Sequence, residues 1–206
     1  MNKDQKLLEE AYNLITERSL SLPIIVIDVQ PSYDKFCSSI MNDLASFLNS
    51  SKGSIVCFFN GPDIGVEDSK QSVASYYSEH GVDDEVIERI EFKEKTYAFF
   101  RNWMDAGIER KDLIKAIRFM VMERISDSRD VSSEQWKNLF GENYLKLSSI
   151  IESEDNINLP DISLSNLKAL GGCYLCGGAK DECLSEFRFL LESFNIPYKL
   201  VSSLIY

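Results

Sequence analysis

The sequence has little histidine, no excess of basic residues and no long apolar run. His80 is the only histidine, and no second CxxC accompanies Cys173 and Cys176, so we expect no metal site of the zinc type. The 22 Lys and Arg residues face 33 Asp and Glu, and the net charge of −11 argues against a nucleic-acid partner. The most apolar short run, 23–27, is far below the roughly 18 residues that a membrane span needs, so no membrane partner is expected.

The rest of the composition is typical of a globular protein. Hydrophobic residues make up 44% of the chain and charged residues 27%, and 206 residues are enough for one large core but few for two. No segment resembles a signal peptide, and five cysteines, an odd number, fit free thiols better than a disulfide framework. We therefore predict a single domain over residues 1–206, a cytoplasmic location and no cofactor.

Buried strands alternate with helices along the chain. Continuous apolar runs predict strands at 23–28, 54–59 and 172–177, with weaker candidates at 88–93 and 197–202. Helical spacing is found at 3–18 and then at about 34–49, 111–125, 134–151 and 181–194. This alternation predicts an α/β fold of three layers, Rossmann-like, with a mostly parallel sheet flanked by helices. Ligands of such folds bind at the carboxyl ends of the strands.

The stretch from about 101 to 160 interrupts this alternation, because it is helical and charged and contains no convincing strand. We predict that it is a helical insertion, which either covers the site as a lid or forms an interface. Arg118, Arg124 and Arg129 could reach an anionic group on a substrate, although pairing with neighbouring acidic residues is the more common role of such side chains.

Asp28 and Lys93 each follow or end a predicted strand. Asp28 ends the apolar run IIVID, where active sites of α/β folds form, although an isolated aspartate in this position more often caps a turn. Lys93 ends the weaker strand, where it could hold positive charge near a nucleophile or could simply be solvated. Neither residue alone is a strong signal.

Cys183 belongs to the segment CGGAKDEC, in which a strand passes through two glycines into a helix. Such a turn places the cysteine in the first helical turn, where N–H groups and the helix dipole favour a thiolate and can hold an oxyanion. The alternative is a buried structural cysteine. The charges of Asp181 and Glu182 would oppose thiolate formation unless these side chains point away.

Taken in order, three motifs resemble the signatures of the isochorismatase-like cysteine hydrolases. They are the sequence DVQ at 28–30, Lys93 followed by the Ala-Phe pair at 98–99, and GGA at 177–179 followed by Cys183. The resemblance implies a catalytic triad of Asp28, Lys93 and Cys183.

The resemblance implies further features of the site. The N–H groups of Ala179 and Cys183 would form the oxyanion hole, the Gly178–Ala179 peptide would be cis, and Tyr33 would line the pocket. Phe99 is a candidate for a substrate-binding wall, although aromatic residues at this spacing are more often packing residues. The metal site of nicotinamidases in this family cannot be assembled, because it needs more than one histidine.

These observations favour a cysteine-dependent hydrolase that cleaves an amide or ureido C–N bond of a small molecule through a thioester. The resemblance also makes a homo-oligomer plausible. A non-catalytic binding protein on the same fold is the alternative, since a fold does not fix a function. A thiol-redox protein that uses Cys173 and Cys176 is a further rival, although in a strand these two residues point to opposite faces.

Overall fold

A computed structural model describes residues 21–61, 68–95, 98–153 and 156–206. It contains five strands: β1 (Ile24–Ile27), β2 (Ile55–Asn60), β3 (Ile90–Lys95), β4 (Cys173–Gly177) and β5 (Tyr198–Leu200). The strands form one sheet in the order β3-β2-β1-β4-β5, and every neighbouring pair is parallel. The predicted α/β fold and all five predicted strands are confirmed.

The central strand shows why these sequences form a buried sheet. All four residues of β1, IIVI, are 1% exposed or less. Ile25 and Ile27 pack into the core on one face of the sheet, whereas Ile24 and Val26 pack into the core on the other. A strand that is covered on both faces needs a continuous apolar run, and β-branched side chains fit it well.

Ten helices occupy the described part of the chain. They are α1 (Asp34–Cys37), α2 (Met41–Ser50), α3 (Lys70–Glu79), α4 (Asp84–Ile87), α5 (Arg101–Asp105), α6 (Arg110–Glu123), α7 (Ser133–Phe140), α8 (Tyr144–Ile151), α9 (Leu164–Ala169) and α10 (Cys183–Ser193). The four helical segments predicted after residue 30 each match one or two of these helices, and α5 begins the predicted helical insertion. Helices α3, α4 and α9 were not predicted. The helix predicted at 3–18 lies outside the described residues.

The helices cover the sheet on both faces and so make three layers. Helices α2 and α3 supply core residues on one face, among them Leu44, Leu48 and Tyr77. Helices α6 and α10 supply core residues on the opposite face, among them Ile117 and Leu190. No helix in the described ranges combines the length and apolarity that a membrane crossing requires.

The order of the strands reverses direction at β1. From β1 the chain moves outward to β2 and β3, and helices α2 and α3 lie on one face of the sheet. It then returns to the other side of β1, where it forms β4 and β5, and helix α10 lies on the opposite face. The gap between the carboxyl ends of β1 and β4 is therefore a topological switch point. Such points are where doubly wound sheets bind ligands.

The segment between β3 and β4 is largely helical. Helices α5 to α8 bury Trp103, Leu113, Trp136 and Phe140 in the core on the α10 face, and an isolated antiparallel bridge joins Asp127 to Asn158. The segment thus contributes a large part of this core layer.

Candidate active site

Asp28 follows β1 directly, at the switch point. Its backbone adopts a left-handed conformation with φ of 56°, and its N–H donates to the Phe58 carbonyl at 2.9 Å. The residue is 2% exposed, and burial raises the pKa of its carboxyl group. The side chains of Lys95 and Cys183 are its partners, and their interactions with the carboxylate oppose this rise in the pKa. A buried carboxylate is costly unless it is paired, and here the pairing holds it at the edge of the sheet.

Lys95, the last residue of β3, supplies the opposite charge. Its Nζ lies 3.1 Å from Oδ1 of Asp28, and the two side chains are 1% and 3% exposed. The same Nζ donates to Oδ1 of Asn60 at 2.9 Å and lies 5.5 Å from the centre of the Phe99 ring. A cation in this position stabilises the Asp28 carboxylate, and its charge opposes the rise in the Asp28 pKa.

Asn60 ends β2 and links this ion pair to a buried polar network. Its Nδ2 donates to the Tyr33 hydroxyl at 2.9 Å, and its N–H donates to Oε1 of Gln30 at 2.8 Å. Gln30 in turn donates through Nε2 to Oδ2 of Asp68 at 2.7 Å. These hydrogen bonds fix the orientation of Asn60, and hence the direction in which it holds the Lys95 ammonium group.

The prediction that Lys93 belongs to the triad is wrong in this structure. Lys93 lies two residues before Lys95, the last residue of β3, and therefore on the same face of the strand. Its Nζ forms ion pairs with Asp161 at 2.8 Å and with Glu91 at 3.0 Å. Parallel register places Lys93 level with Phe58, whereas Lys95 is level with Asn60 at the carboxyl end of β2. Only the later lysine therefore reaches Asp28.

The turn after β4 delivers the cysteine. Gly177 and Gly178 both have positive φ, 74° and 58°. A Cβ added to Gly177 would lie 2.4 Å from the Ile27 carbonyl oxygen, so the close approach of β1 requires glycine at this position. The predicted cis peptide between Gly178 and Ala179 is wrong, since no described peptide bond is cis. The left-handed glycines make the turn with trans peptides instead.

Cys183 begins α10, as the sequence predicts for a nucleophile in the first turn of a helix. The side chain is half-buried, and it lines the same cavity as Asp28. Burial and the neighbouring Asp28 charge raise the pKa of the Cys183 thiol, while Lys95 opposes this effect. The resting cysteine is therefore a neutral thiol beside a carboxylate, and the expected low thiol pKa is not found.

The backbone of this turn fits the predicted oxyanion hole in part. The Leu184 N–H donates to the Ala179 carbonyl at 3.3 Å, and the Ser185 N–H donates to the Glu182 carbonyl at 2.9 Å. Glu182, at the start of α10, provides no side-chain cap. The N–H groups of Ala179 and Cys183 donate to no acceptor among the described residues. Both residues line the cavity, and the oxyanion hole that they would form stays a prediction.

Asp28, Ala179 and Cys183 open into a cavity of about 590 Å³, which we call the strand-end cavity. Its other polar and charged lining residues are Asn60, Arg101, Asn102, Asp105, Glu182 and Glu186. Its apolar and aromatic lining residues are Tyr33, Phe36, Ala98 and Tyr206. The volume suits a small molecule.

The aromatic walls differ from the sequence prediction. Tyr33 lines the strand-end cavity, as expected, whereas Phe99 does not. Phe99 is 3% exposed and packs edge-on against Phe58 and Phe187, so it belongs to the core, and Ala98 takes its place in the lining. Of the segment predicted as a lid, only α5 contributes lining residues among those described.

Two of the lining residues carry signals that the sequence did not reveal. Glu186 is 2% exposed, its Oε1 accepts from the Phe100 N–H at 2.6 Å, and burial raises its pKa to about 7. The Tyr206 hydroxyl donates to the Asp28 carbonyl at 2.6 Å. The position of Glu186 three residues after Cys183 puts both on one helical face, which was a usable signal. Nothing local in the sequence marks Tyr206.

The remaining candidate residues lie elsewhere. Cys173 and Cys176 are buried on opposite faces of β4, in different core clusters, which disfavours a redox pair. Arg118 donates to the Ser193 carbonyl and Arg129 pairs with Asp127, so neither faces the strand-end cavity. No group of three or more His, Cys, Asp or Glu residues is placed to hold a metal within the described ranges.

A second, larger depression of about 800 Å³ lies between α6, α9 and the end of α10, and we call it the lateral groove. It is lined by Met120, Arg124, Leu159, Asp161, Lys168 and Phe194, among others. Asp161 is the partner of Lys93. The two lysines of β3 thus belong to different parts of the molecule.

Comparisons with protein-family models, with curated proteins and with solved structures found no match for this chain. A function is therefore inferred from the geometry of the strand-end cavity and from the motifs of the sequence.

Proposed function

We propose that this protein is a cysteine-dependent hydrolase that cleaves an amide or ureido C–N bond of a small molecule. One observation carries the proposal: the Cys183 thiol and the buried Asp28 carboxylate share one cavity, and the Lys95 ammonium group lies 3.1 Å from that carboxylate. A thiol, a base and a cation that orients the base are the parts that nucleophilic catalysis by cysteine needs.

In the acylation step Asp28 accepts the proton of the Cys183 thiol. The sulfur then attacks the carbonyl carbon of the substrate, and the electron pair of the C=O bond moves to the oxygen. The N–H groups of Ala179 and Cys183 donate to this oxyanion. When the C=O bond re-forms, the C–N bond breaks, and the leaving nitrogen takes the proton from Asp28. Ammonia or an amine departs, and a thioester remains.

Deacylation repeats these transfers with water. Asp28 accepts a proton from the water molecule, whose oxygen attacks the thioester carbonyl. The C–S bond then breaks, and the cysteine sulfur regains a proton from Asp28. The net reaction consumes one amide and one water and yields one acid and one amine.

The raised pKa values of Asp28 and Cys183 fit this sequence of proton transfers. Burial makes the Asp28 carboxylate a stronger base than an exposed one, since its pKa is raised. The charge of Lys95 favours its ionised form and compensates the charge that moves onto sulfur. The thiolate forms when substrate is bound, in a cavity where its charge meets Lys95 and the α10 N-terminus.

The resemblance of two motifs, DVQ at 28–30 and GGA at 177–179 followed by Cys183, to isochorismatase-like cysteine hydrolases supports the proposal. Lys95 takes the role that the resemblance implied for Lys93, at a different spacing from the Ala-Phe pair. Under this proposal the substrate is a small molecule. A cytoplasmic location and a homo-oligomeric state stay predictions, and so does the absence of a cofactor.

The proposal is tested by release of ammonia or amine from a panel of simple primary amides and monosubstituted ureas. We expect wild-type protein to hydrolyse at least one member, and we expect Cys183→Ala to lose this activity by at least about 10⁴-fold, because nucleophile loss removes the covalent route. Cys173→Ala, on β4, is the matched control and should keep it. A panel without any hydrolysis would contradict the proposal, and so would equal rates for wild type and Cys183→Ala.

A further inference from the structure

The charges of the strand-end cavity do not cancel. Two of its carboxylates are internally compensated. Asp28 is paired with Lys95, and Asp105 accepts from Nε of Arg101 through both oxygens at 2.9 Å. Arg101 also donates through Nη1 to the Asp181 carbonyl at 2.5 Å, so its guanidinium group is already engaged on two sides. Among the described residues that line the cavity, the one cation, Arg101, is therefore already engaged by groups of the protein.

Two further carboxylates remain, on Glu182 and Glu186. Neither forms an ion pair with a lysine or arginine among the described residues. Glu186 lies inside the cavity, one helical turn after Cys183, and the Phe100 N–H donates to its Oε1 at 2.6 Å. Glu182 is exposed and immediately precedes Cys183, at the mouth. The cavity thus carries excess negative charge both in its interior, on Glu186, and at its mouth, on Glu182.

Opposing effects set the ionisation of Glu186. Burial raises its pKa to about 7, whereas the backbone N–H groups around Phe100 and the charge of Lys95 favour its charged form. Arg101 of α5 lies beside it and contributes a backbone hydrogen bond, and Cys183 lies on its own helix. At pH 8 Glu186 is therefore mostly ionised.

Aromatic rings also line the strand-end cavity. The rings of Phe36 and Tyr206 stack with their centres 6.3 Å apart and their planes at 11°, and Tyr33 is a further lining residue. Phe36 is 51% exposed although it is a large apolar residue. Aromatic faces attract cations, and Nζ of Lys35 occupies such a position, 4.7 Å from the centre of the Phe36 ring.

We propose that the strand-end cavity selects amides or ureides whose remaining part carries a positive charge, such as a primary amine or a guanidine, over those that carry a carboxylate. The identity of the reactive bond rests on the proposed function, whereas the charge preference follows from the lining residues alone.

The first test measures the alkylation of Cys183 by reagents of different charge. Iodoacetamide, iodoacetate and 2-bromoethylamine are neutral, anionic and cationic, and each rate at pH 8 is followed by peptide mass mapping and divided by the rate with mercaptoethanol. We expect iodoacetate to be disfavoured relative to iodoacetamide by about tenfold, and 2-bromoethylamine to be favoured by about threefold or more. A tenfold ratio corresponds to about 1.4 kcal/mol, which is of the order of one charge interaction near a protein surface.

Matched variants locate the source of this preference. Glu186→Gln and Glu182→Gln should each reduce the discrimination against iodoacetate by about threefold, because each removes one negative charge and keeps the shape of the side chain. Glu123→Gln, on the exposed end of α6, should leave it unchanged. Normalised rates equal for all three reagents would overturn the proposal, and so would a preference that neither Glu182→Gln nor Glu186→Gln alters.

A second test does not require a reactive thiol. Binding of 4-aminobutanamide and succinamate, a cation and an anion of similar length, to Cys183→Ala is measured by isothermal titration calorimetry. The cation should bind at least about tenfold more tightly, and equal or reversed affinities would overturn the proposal. Because neither test depends on turnover, failure of the charge preference is distinguishable from failure of the hydrolase proposal, which the amide panel tests separately.

Discussion

The strand-end cavity, of about 590 Å³, is smaller than the lateral groove of about 800 Å³, and yet the two differ most in what they bury. The first contains an ion pair whose side chains are 1% and 3% exposed, an adjacent thiol and N–H groups without acceptors among the described residues. The second is lined by apolar side chains and by polar groups at its edges. Convergent buried polar groups therefore mark the candidate site better than volume does.

The two lysines of β3 show this difference within one strand. Lys95 has a side chain that is 1% exposed and pairs with a buried aspartate, whereas Lys93 pairs with Asp161, whose side chain is 93% exposed. A pair in the solvent contributes little free energy, but a buried charge that loses its partner is strongly destabilising. Substitutions in the two regions should thus differ in kind as well as in size.

Among substitutions in the two regions, Asp28→Asn should have the largest effect on activity. We expect kcat/KM for amide hydrolysis to fall by about 10³-fold or more, because the proposed general base is lost. The same change should lower the pKa of the Cys183 thiol, since the Asp28 charge raises it in the wild type. Thiolate absorbance at 240 nm, followed against pH, measures that pKa. A variant with normal activity, or with a higher thiol pKa, would contradict the assigned role.

Substitution of Lys95 should have the next largest effect on activity, and the same substitution of Lys93 is its control. Lys95→Met should reduce kcat/KM by about 10²-fold to 10³-fold, whereas Lys93→Met should change it by less than about threefold. Lys95→Met also leaves the Asp28 carboxylate buried without a partner, at a cost of about 3 kcal/mol in the free energy of unfolding.

The double variant Lys95→Met/Asp28→Asn controls for misfolding. Because it removes both members of the pair, it should regain much of this stability without regaining activity. Denaturant titration measures the first quantity and the amide panel the second. Equal losses of activity in the two single lysine variants would contradict the role of Lys95 as the partner of Asp28 in catalysis.

The ionisation of Glu186 should have a smaller effect, which falls on the free energy of unfolding. Its pKa is raised from 4.5 to about 7 in the fold, so its contribution is fully present below pH 4.5 and is lost as the pH rises through 7. That loss amounts to at most about 3 kcal/mol in the free energy of unfolding. Glu186→Gln should therefore flatten the decline in stability between pH 4.5 and pH 8, as measured by urea titration. An unchanged slope would show that the group titrates normally.

The lateral groove should give the smallest effect of all. Lys168 lines it and donates to the Phe194 carbonyl at 3.4 Å. We expect Lys168→Ala to change kcat/KM by less than about twofold and the free energy of unfolding by less than about 0.5 kcal/mol, as is usual for surface positions. A large loss of activity would mean that the groove takes part in substrate binding.

The sequence predicted the sheet and the ends of β1 and β4, because continuous apolar runs and paired glycines act locally. It did not predict α3, whose buried residues Val73, Tyr76 and Tyr77 lie within an otherwise polar segment, so its helical face is weakly marked. The alternation of side chains along β3 places Lys93 and Lys95 on the same face of the strand. Which of the two reaches Asp28 depends on the register of β3 with β2, which the sequence does not give.

Other parts of the site depend on tertiary packing. Phe99 was a candidate wall residue, but the aromatic side chains of Phe58 and Phe187 draw it into the core, and Ala98 lines the cavity instead. Tyr206 is separated from Asp28 by most of the chain, and their contact follows from the return of the chain after β5. Spacing within a short motif contains no information about such contacts.

The most direct test of the central claim is mass-spectrometric detection of a thioester on Cys183. Wild-type protein is mixed with the amide panel, quenched in acid and mapped by peptide mass. The account predicts that the peptide containing Cys183 gains the mass of the acyl group, that hydroxylamine removes it, and that Asp28→Asn lacks it. Hydrolysis without this adduct but with one on another cysteine would contradict the account, and so would the absence of both hydrolysis and adduct across the panel.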